Sequence, residues 1–141
     1  SGRGFMHSTT YCGYAPAAAA ALEVMCIFEE ENIIASVQKR SHELFERMKN
    51  TASKTSALTN LRSLGFVAAA DIVNPETGKP FDRKWRTGFR FLKNAIARGA
   101  ILRPLGDTIY FLPPLNTPDS QLDRLAEIAA DALNATLKEK I

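Results

Sequence analysis

The sequence has few of the residues that hold metals or bridge chains: two cysteines, Cys12 and Cys26, and two histidines, His7 and His42, in 141 residues. There is no CxxC pair and no metal-ligand spacing, which argues against a zinc site, a redox motif or a disulfide framework. The expectation is no metal and two reduced thiols in a reducing, cytoplasmic compartment, with Cys26 in a core. No apolar run reaches the ~18 residues of a spanning helix. The alanine run Ala17–Ala21 lacks the basic segment that would precede it in a signal peptide. Excess charge is also scarce, since 18 Lys and Arg against 15 Asp and Glu leave a net +3. The basic residues are scattered, with no cluster alternating with aromatics, so neither nucleic acid nor membrane is an expected partner.

What is present is ordinary globular material, 45% apolar and 23% charged. A chain of this length can bury about 68% of its unfolded surface as one domain. No internal repeat and no low-complexity linker interrupts it. Ser1-Gly2-Arg3-Gly4-Phe5 reads as the interior of a protein or a vector scar fused to one, so the chain is expected to be a fragment.

Residues 1–15 read as an extended segment. Pro16 can open a helix at its first position, and this helix is expected to reach about Glu30 with Leu22, Met25 and Cys26 on its core stripe. Asn32 then caps a second helix to about Ser53, with Ile34, Val37, Leu44, Phe45 and Met48 on one face. Leu61 to Val73 reads as one buried strand with a bulge at Gly65. A third helix, Arg83 to Arg98, turns Trp85, Phe89, Leu92 and Ile96 inward and stops at Gly99. Two short strands flank a Pro104–Asp107 turn. Thr117-Pro118-Asp119 opens a last helix with Leu122, Leu125, Ala129, Ala132 and Leu133 buried. The order α-α-β-α-β-β-α predicts an α+β two-layer sandwich, a small and mainly antiparallel sheet covered by helices.

Two segments carry chemistry. In Leu102-Arg103-Pro104-Leu105-Gly106-Asp107-Thr108-Ile109-Tyr110, one arginine stands at a strand end directly before the turn. Its guanidinium stays charged and its fork of donors fits a carboxylate; the alternative is an arginine that simply faces water at a sheet edge. In Phe5-Met6-His7-Ser8-Thr9-Thr10-Tyr11-Cys12-Gly13, hydroxyls and backbone N–H groups precede a helix N-terminus and could bind an anion such as phosphate. Such Ser/Thr-rich segments also serve simply as caps and turns, and His7 alone reads as a structural residue.

Together these segments resemble a family. Phe5 to Gly13, followed by an alanine-rich helix, looks like the stretch after the cofactor lysine in class III pyridoxal-phosphate aminotransferases. Asn60-Leu61-Arg62-Ser63-Leu64-Gly65-Phe66 is similar to that class's Arg-x-x-Gly-hydrophobic strand. Leu102 to Pro114 is most similar to the biotin-pathway branch, whose members move an amino group from S-adenosylmethionine to 8-amino-7-oxononanoate. One departure is Gly13-Tyr14-Ala15-Pro16, where the family usually reads Gly-Asn-Pro, which puts contacts around Tyr14 in doubt.

The resemblance implies the carboxy-terminal small domain of a fold-type I enzyme over residues 16–141, with residues 1–15 coming from the cofactor and interface region. It implies pyridoxal 5'-phosphate as cofactor and a homodimer. Thr10 matches the threonine that reaches the cofactor phosphate, Arg103 the arginine that pairs with the substrate carboxylate, and Tyr110 a tyrosine near the substrate. Arg62 and Gly65 match structural or pocket-edge positions. The Schiff-base lysine lies upstream in the family, whereas all eight lysines here, Lys39 to Lys140, follow Thr10; no catalytic residue is expected in this segment, which alone should be inert. The competing expectations are another ω-aminotransferase and a stand-alone interaction module that docks a partner helix through its alanine-rich face.

Overall fold

The computed structural model describes residues 2, 4 and 10–139, so His7, Ser8 and Thr9, singled out above, lie outside the described residues. The chain divides into two units, residues 1–34 and 35–141.

The first unit holds a turn and one helix. Tyr14 N–H donates to the Tyr11 carbonyl at 3.1 Å, and helix α1, Ala15–Glu30, starts with Pro16 in its first turn. The amides of Glu31 and Asn32 close its last turn on Ile27 and Glu29. Asn32 has a left-handed φ of 48°, so it is the joint between two helices rather than an extended N-cap. The expected core stripe of α1 is absent: Leu22 and Met25 are 64% and 65% exposed, and Cys26 is exposed too. The described part of this unit is a single helix with its turn, and a helix alone has no second layer on which to bury a stripe.

The second unit is the predicted two-layer α+β sandwich. Helix α2, Ile33–Thr55, begins at the unit boundary. Strand β1, Leu58–Leu64, pairs antiparallel with β2, Val67–Ile72, which pairs antiparallel with β3, Thr108–Phe111; the sheet order is β1-β2-β3. Helices α3, Thr87–Ile96, and α4, Asp119–Lys138, complete the unit. Period-two alternation sends Ala68, Ala70, Ile72, Ile109 and Phe111 to one face. There they form one core with Leu44 and Met48 of α2, Phe91 and Ala95 of α3, and Leu122, Ala129, Ala132 and Leu133 of α4. Arg40 ties the helical layer together, donating to the carbonyls of Leu115 (3.1 Å) and Thr117 and to Asp119 at the start of α4 (3.1 Å). Its guanidinium also lies 5.3 Å from the Phe66 ring centre.

Four expectations change in detail; the first is Ile34, expected on the apolar face of α2 with Leu44 and Met48 but 57% exposed, and the other three concern the backbone. The single strand from Leu61 to Val73 is a hairpin, because Gly65 at φ 53° takes the left-handed turn that a side chain resists; the ladder irregularity lies between Thr59 and Arg62 instead, where Asn60 has φ 50°. The third helix is broken. A 3-10 turn, Arg83–Trp85, ends at Arg86 with φ 50°, and α3 starts after it. The break rotates the helix, so Phe89 and Ile96 are exposed while Phe91 and Ala95 are buried. Of the two strands expected around the Pro104–Asp107 turn, only β3 forms; the preceding residues reach it through a lone Leu105–Thr108 bridge, since Pro104 has no N–H to give a ladder.

Candidate active site

Arg103 stands between buried Leu102 and the turn that begins at Pro104. Leu105 N–H donates to the Thr108 carbonyl at 2.9 Å and Thr108 N–H returns the bond at 3.0 Å. Ile72 N–H, at the end of β2, donates to the Asp107 carbonyl at 2.8 Å. The arginine is therefore carried by a turn clamped to the sheet, as its neighbours in sequence suggest.

Two clefts meet at Arg103. The smaller, about 430 Å³, has Arg103, Tyr110, Ile101, Leu112 and Leu125 in its walls, so the two residues assigned to substrate by resemblance share one cavity. The larger, about 880 Å³, sets Arg103 with Arg83 and Arg86 around Phe81, Phe89, Leu92 and Leu105. Among the described residues, Arg40, Arg47, Arg62 and Arg90 each pair with a carboxylate, whereas Arg83, Arg86, Arg98, Arg103 and Arg124 have no ion-pair partner, and three of these five line this cleft. Arg86 instead lies 4.4 Å from the Phe89 ring centre. Unpaired guanidiniums over apolar walls suit an anion with a hydrocarbon body.

Tyr110 belongs to the sheet face opposite the core, where Arg62, Ala69 and Tyr110 form one rung across three strands. On the next rung Asp71 accepts from Arg62 at 3.0 Å, Thr108 Oγ1 at 2.7 Å and Asn60 Nδ2 at 2.8 Å. Partial burial would raise the Asp71 pKa, but the hydrogen bonds from Arg62, Thr108 and Asn60, with the Arg62 charge, bring it down to about 2. The Arg62 carboxylate partner is thus internal, in keeping with a structural position.

Thr10 belongs to the first unit, exposed on the turn before α1. Of the amides that open α1, Tyr14 N–H is bonded to Tyr11, Ala17 and Ala18 N–H are bonded to Tyr14, and Pro16 has none, so Ala15 N–H is the donor left to accompany the Thr10 hydroxyl toward a phosphate. Among the described residues, no group of three His, Cys, Asp or Glu side chains gathers as for a metal, and no helix is long and apolar enough to cross a membrane.

Arg83, Arg86 and Phe89 escaped the sequence reading. An unbroken helix from Arg83 to Arg98 places them as ordinary helix-surface or core residues, and the left-handed Arg86 is what brings them to the cleft. The available signal was Thr87-Gly88, a polar residue and a helix-weakening glycine inside the supposed helix.

The segment is similar to adenosylmethionine-8-amino-7-oxononanoate aminotransferase of Nitratidesulfovibrio vulgaris, 33% identical over 137 residues, covering 94% of this chain and 24% of that protein. It is equally similar to the probable mitochondrial gamma-aminobutyrate transaminase 3 of Oryza sativa subsp. indica, 32% identical over 133 residues, covering 94% of this chain and 26% of that protein. The chain thus spans about a quarter of the length of these curated relatives. The solved thermostable (S)-enantioselective omega-transaminase of Thermomicrobium roseum superposes with a TM-score of 0.85 at 26% identity, covering 98% of this chain and 31% of that one. The model of the family described as aminotransferase class-III, whose members depend on pyridoxal phosphate, matches residues 1–133. With the sheet, the helical layer and the sequence in agreement, this chain belongs to the class III aminotransferases.

Proposed function

We propose that the protein carrying this chain is a pyridoxal-phosphate-dependent aminotransferase whose acid substrate anchors its carboxylate on Arg103. The observation that supports this most is the collection of unpaired guanidiniums at an apolar cleft, with Arg103 held on a clamped turn. A bidentate pair between guanidinium and carboxylate fixes both distance and orientation. The apolar walls, Phe81, Phe89 and Leu92, then take the aliphatic chain and exclude water, and Tyr110 lines the adjoining cleft. Thr10 is assigned to the cofactor phosphate through its hydroxyl and backbone N–H. Pyridoxal phosphate supplies, when bound, the electron sink for moving an amino group. The lysine that carries it precedes Thr10 in the family, so residues 1–141 alone are inactive and residues 16–141 act as the small domain of a homodimeric, cytoplasmic enzyme.

For the reaction itself, the proposal is transfer of an amino group from S-adenosylmethionine to 8-amino-7-oxononanoate, giving 7,8-diaminononanoate in biotin synthesis. The Arg103-Pro104-Leu105-Gly106 turn followed by Ile109-Tyr110 and Pro113-Pro114 supports this branch. The rice relative, equally similar and named for gamma-aminobutyrate, supports a second reading as another ω-aminotransferase. Both need an arginine for a carboxylate. They separate when the full-length protein is offered S-adenosylmethionine with 8-amino-7-oxononanoate and, separately, 4-aminobutyrate with a 2-oxo acid. Turnover of only the first pair supports the biotin branch, and turnover of only the second overturns it. A stand-alone interaction module predicts turnover of neither and no cofactor absorbance.

A further inference from the structure

The Pro104–Asp107 turn is gripped from a third side, by the N-terminus of α3, and this grip has no role in the chemistry proposed above. Gly88 N–H, in the first turn of α3, donates to Asp107 Oδ1 at 2.7 Å. A carboxylate there satisfies an amide that the helix itself leaves unpaired, and it faces the positive end of the helix dipole. The approach is tight as well as polar. A Cβ at Gly88 would collide with the Gly106 carbonyl oxygen and come within 3.1 Å of Pro104 Cγ. Position 88 therefore admits no side chain while the turn stays where it is. The left-handed Arg86 begins α3 at the angle that brings this amide forward. Behind it, Arg90 Nε donates to the Trp85 carbonyl at 3.0 Å and holds the joint closed.

Three anchors thus converge on four residues. The Leu105–Thr108 bonds close the turn, Ile72 N–H holds its far end to the sheet, and Gly88 with Asp107 holds it to α3. The first two act within or beside the sheet and make no hydrogen bond to α3. Among the described residues only the third hydrogen-bonds it to the helical layer, three residues after Pro104, and the same Gly88 packs directly against the Pro104 ring, which follows Arg103. We infer that Asp107 and Gly88 are positioning residues for Arg103, their amide–carboxylate clamp and the contact only glycine permits setting where the guanidinium meets a substrate carboxylate. This rests on the reading of Arg103 as the carboxylate anchor. Asp107 also lines the larger cleft, but its Oδ1 is committed to Gly88 N–H, and in this scheme it acts on the substrate through Arg103.

The test uses the full-length enzyme and two amine substrates of equal length, one ending in a carboxylate and one in a methyl group. Steady-state KM and kcat are measured for each in Arg103→Ala, Asp107→Ala, Asp107→Asn and Gly88→Ala. A misplaced anchor weakens only what it anchors. Asp107→Ala and Gly88→Ala should raise KM for the carboxylate substrate by about tenfold or more, because small misplacements at a reacting ligand carry large penalties. The methyl-ended amine should keep its KM, and kcat for both should stay within about twofold. Asp107→Asn retains an oxygen that can accept from Gly88 N–H, so it should restore most of the loss. KM does not depend on the folded fraction, so partial unfolding of a variant cannot imitate this pattern. If Arg103→Ala is selective for the carboxylate substrate while Asp107→Ala shifts both substrates equally or neither, the clamp is overturned and the anchor stands. If Arg103→Ala itself shows no selectivity, the anchor is overturned and the clamp with it.

Discussion

The two faces of the three-stranded sheet use the same alternation for opposite ends. On one face Ala68, Ala70, Ile72, Ile109 and Phe111 disappear beneath α2, α3 and α4. On the other, Asn60, Arg62 and Thr108 meet Asp71 in a polar lattice, and Tyr110 stands beside it, partly open. Phe111 and Tyr110 are sequence neighbours and aromatic, yet one is 1% exposed and the other lines a cleft. Hydrophobic burial therefore fixes the register on one side, and that register alone decides which groups the other side offers. A one-residue slip would exchange core for site.

The comparison breaks first at its apolar side. Phe111→Ala should cost about 3–5 kcal/mol in urea unfolding, whereas Tyr110→Phe, one residue away, should change stability by less than about 0.5 kcal/mol. Equal losses would mean that the faces are not distinct. Arg40→Ala should follow at about 2 kcal/mol, since it removes charged hydrogen bonds to Leu115, Thr117 and Asp119 together.

Thr87 sharpens the contrast from within α3. Its Oγ1 is buried without a partner among the described residues, so the isosteric Thr87→Val should raise stability by about 1 kcal/mol, visible as a higher melting temperature.

The polar face has a pH signature. Asp71 has its pKa lowered to about 2 from 3.8, so the folded state favours the charged carboxylate. Its contribution is fully present above the unfolded value and is lost as pH falls through the folded one. The stability gap between the wild type and Asp71→Asn should therefore narrow from pH 5 to pH 2; a constant gap would contradict the network. The smallest effect belongs to the helical exterior, where Asp123→Asn, breaking a 2.7 Å pair with Arg47 whose acid is mostly exposed, should cost no more than about 1 kcal/mol.

Helices α1 and α4 show why some of this was legible and some was not. In α4, Leu122, Ala129, Ala132 and Leu133 recur at helical spacing with charges between them, so the buried face follows from the pattern and was read correctly. In α1 apolar residues surround the helix, and a pattern with no contrast names no face; reading Leu22, Met25 and Cys26 as core was wrong for that reason. The proposed carboxylate anchor, Arg103, could be nominated from its charge beside a rigid turn. The clamp between Gly88 and Asp107 could not, because the two are 19 residues apart and meet only when α3 packs on the turn.

The sequence by itself determined the layered α+β class, because periodicity and local turn chemistry are properties of neighbours along the chain, and its motif segments carried the resemblance to the family. Tertiary structure decided the hairpin at Gly65, the break at Arg86 and the gathering of Arg83, Arg86 and Arg103 around one cleft. These depend on backbone reversals, and a single residue at positive φ redirects every side chain that follows. Spacing along the chain cannot register such a change in direction.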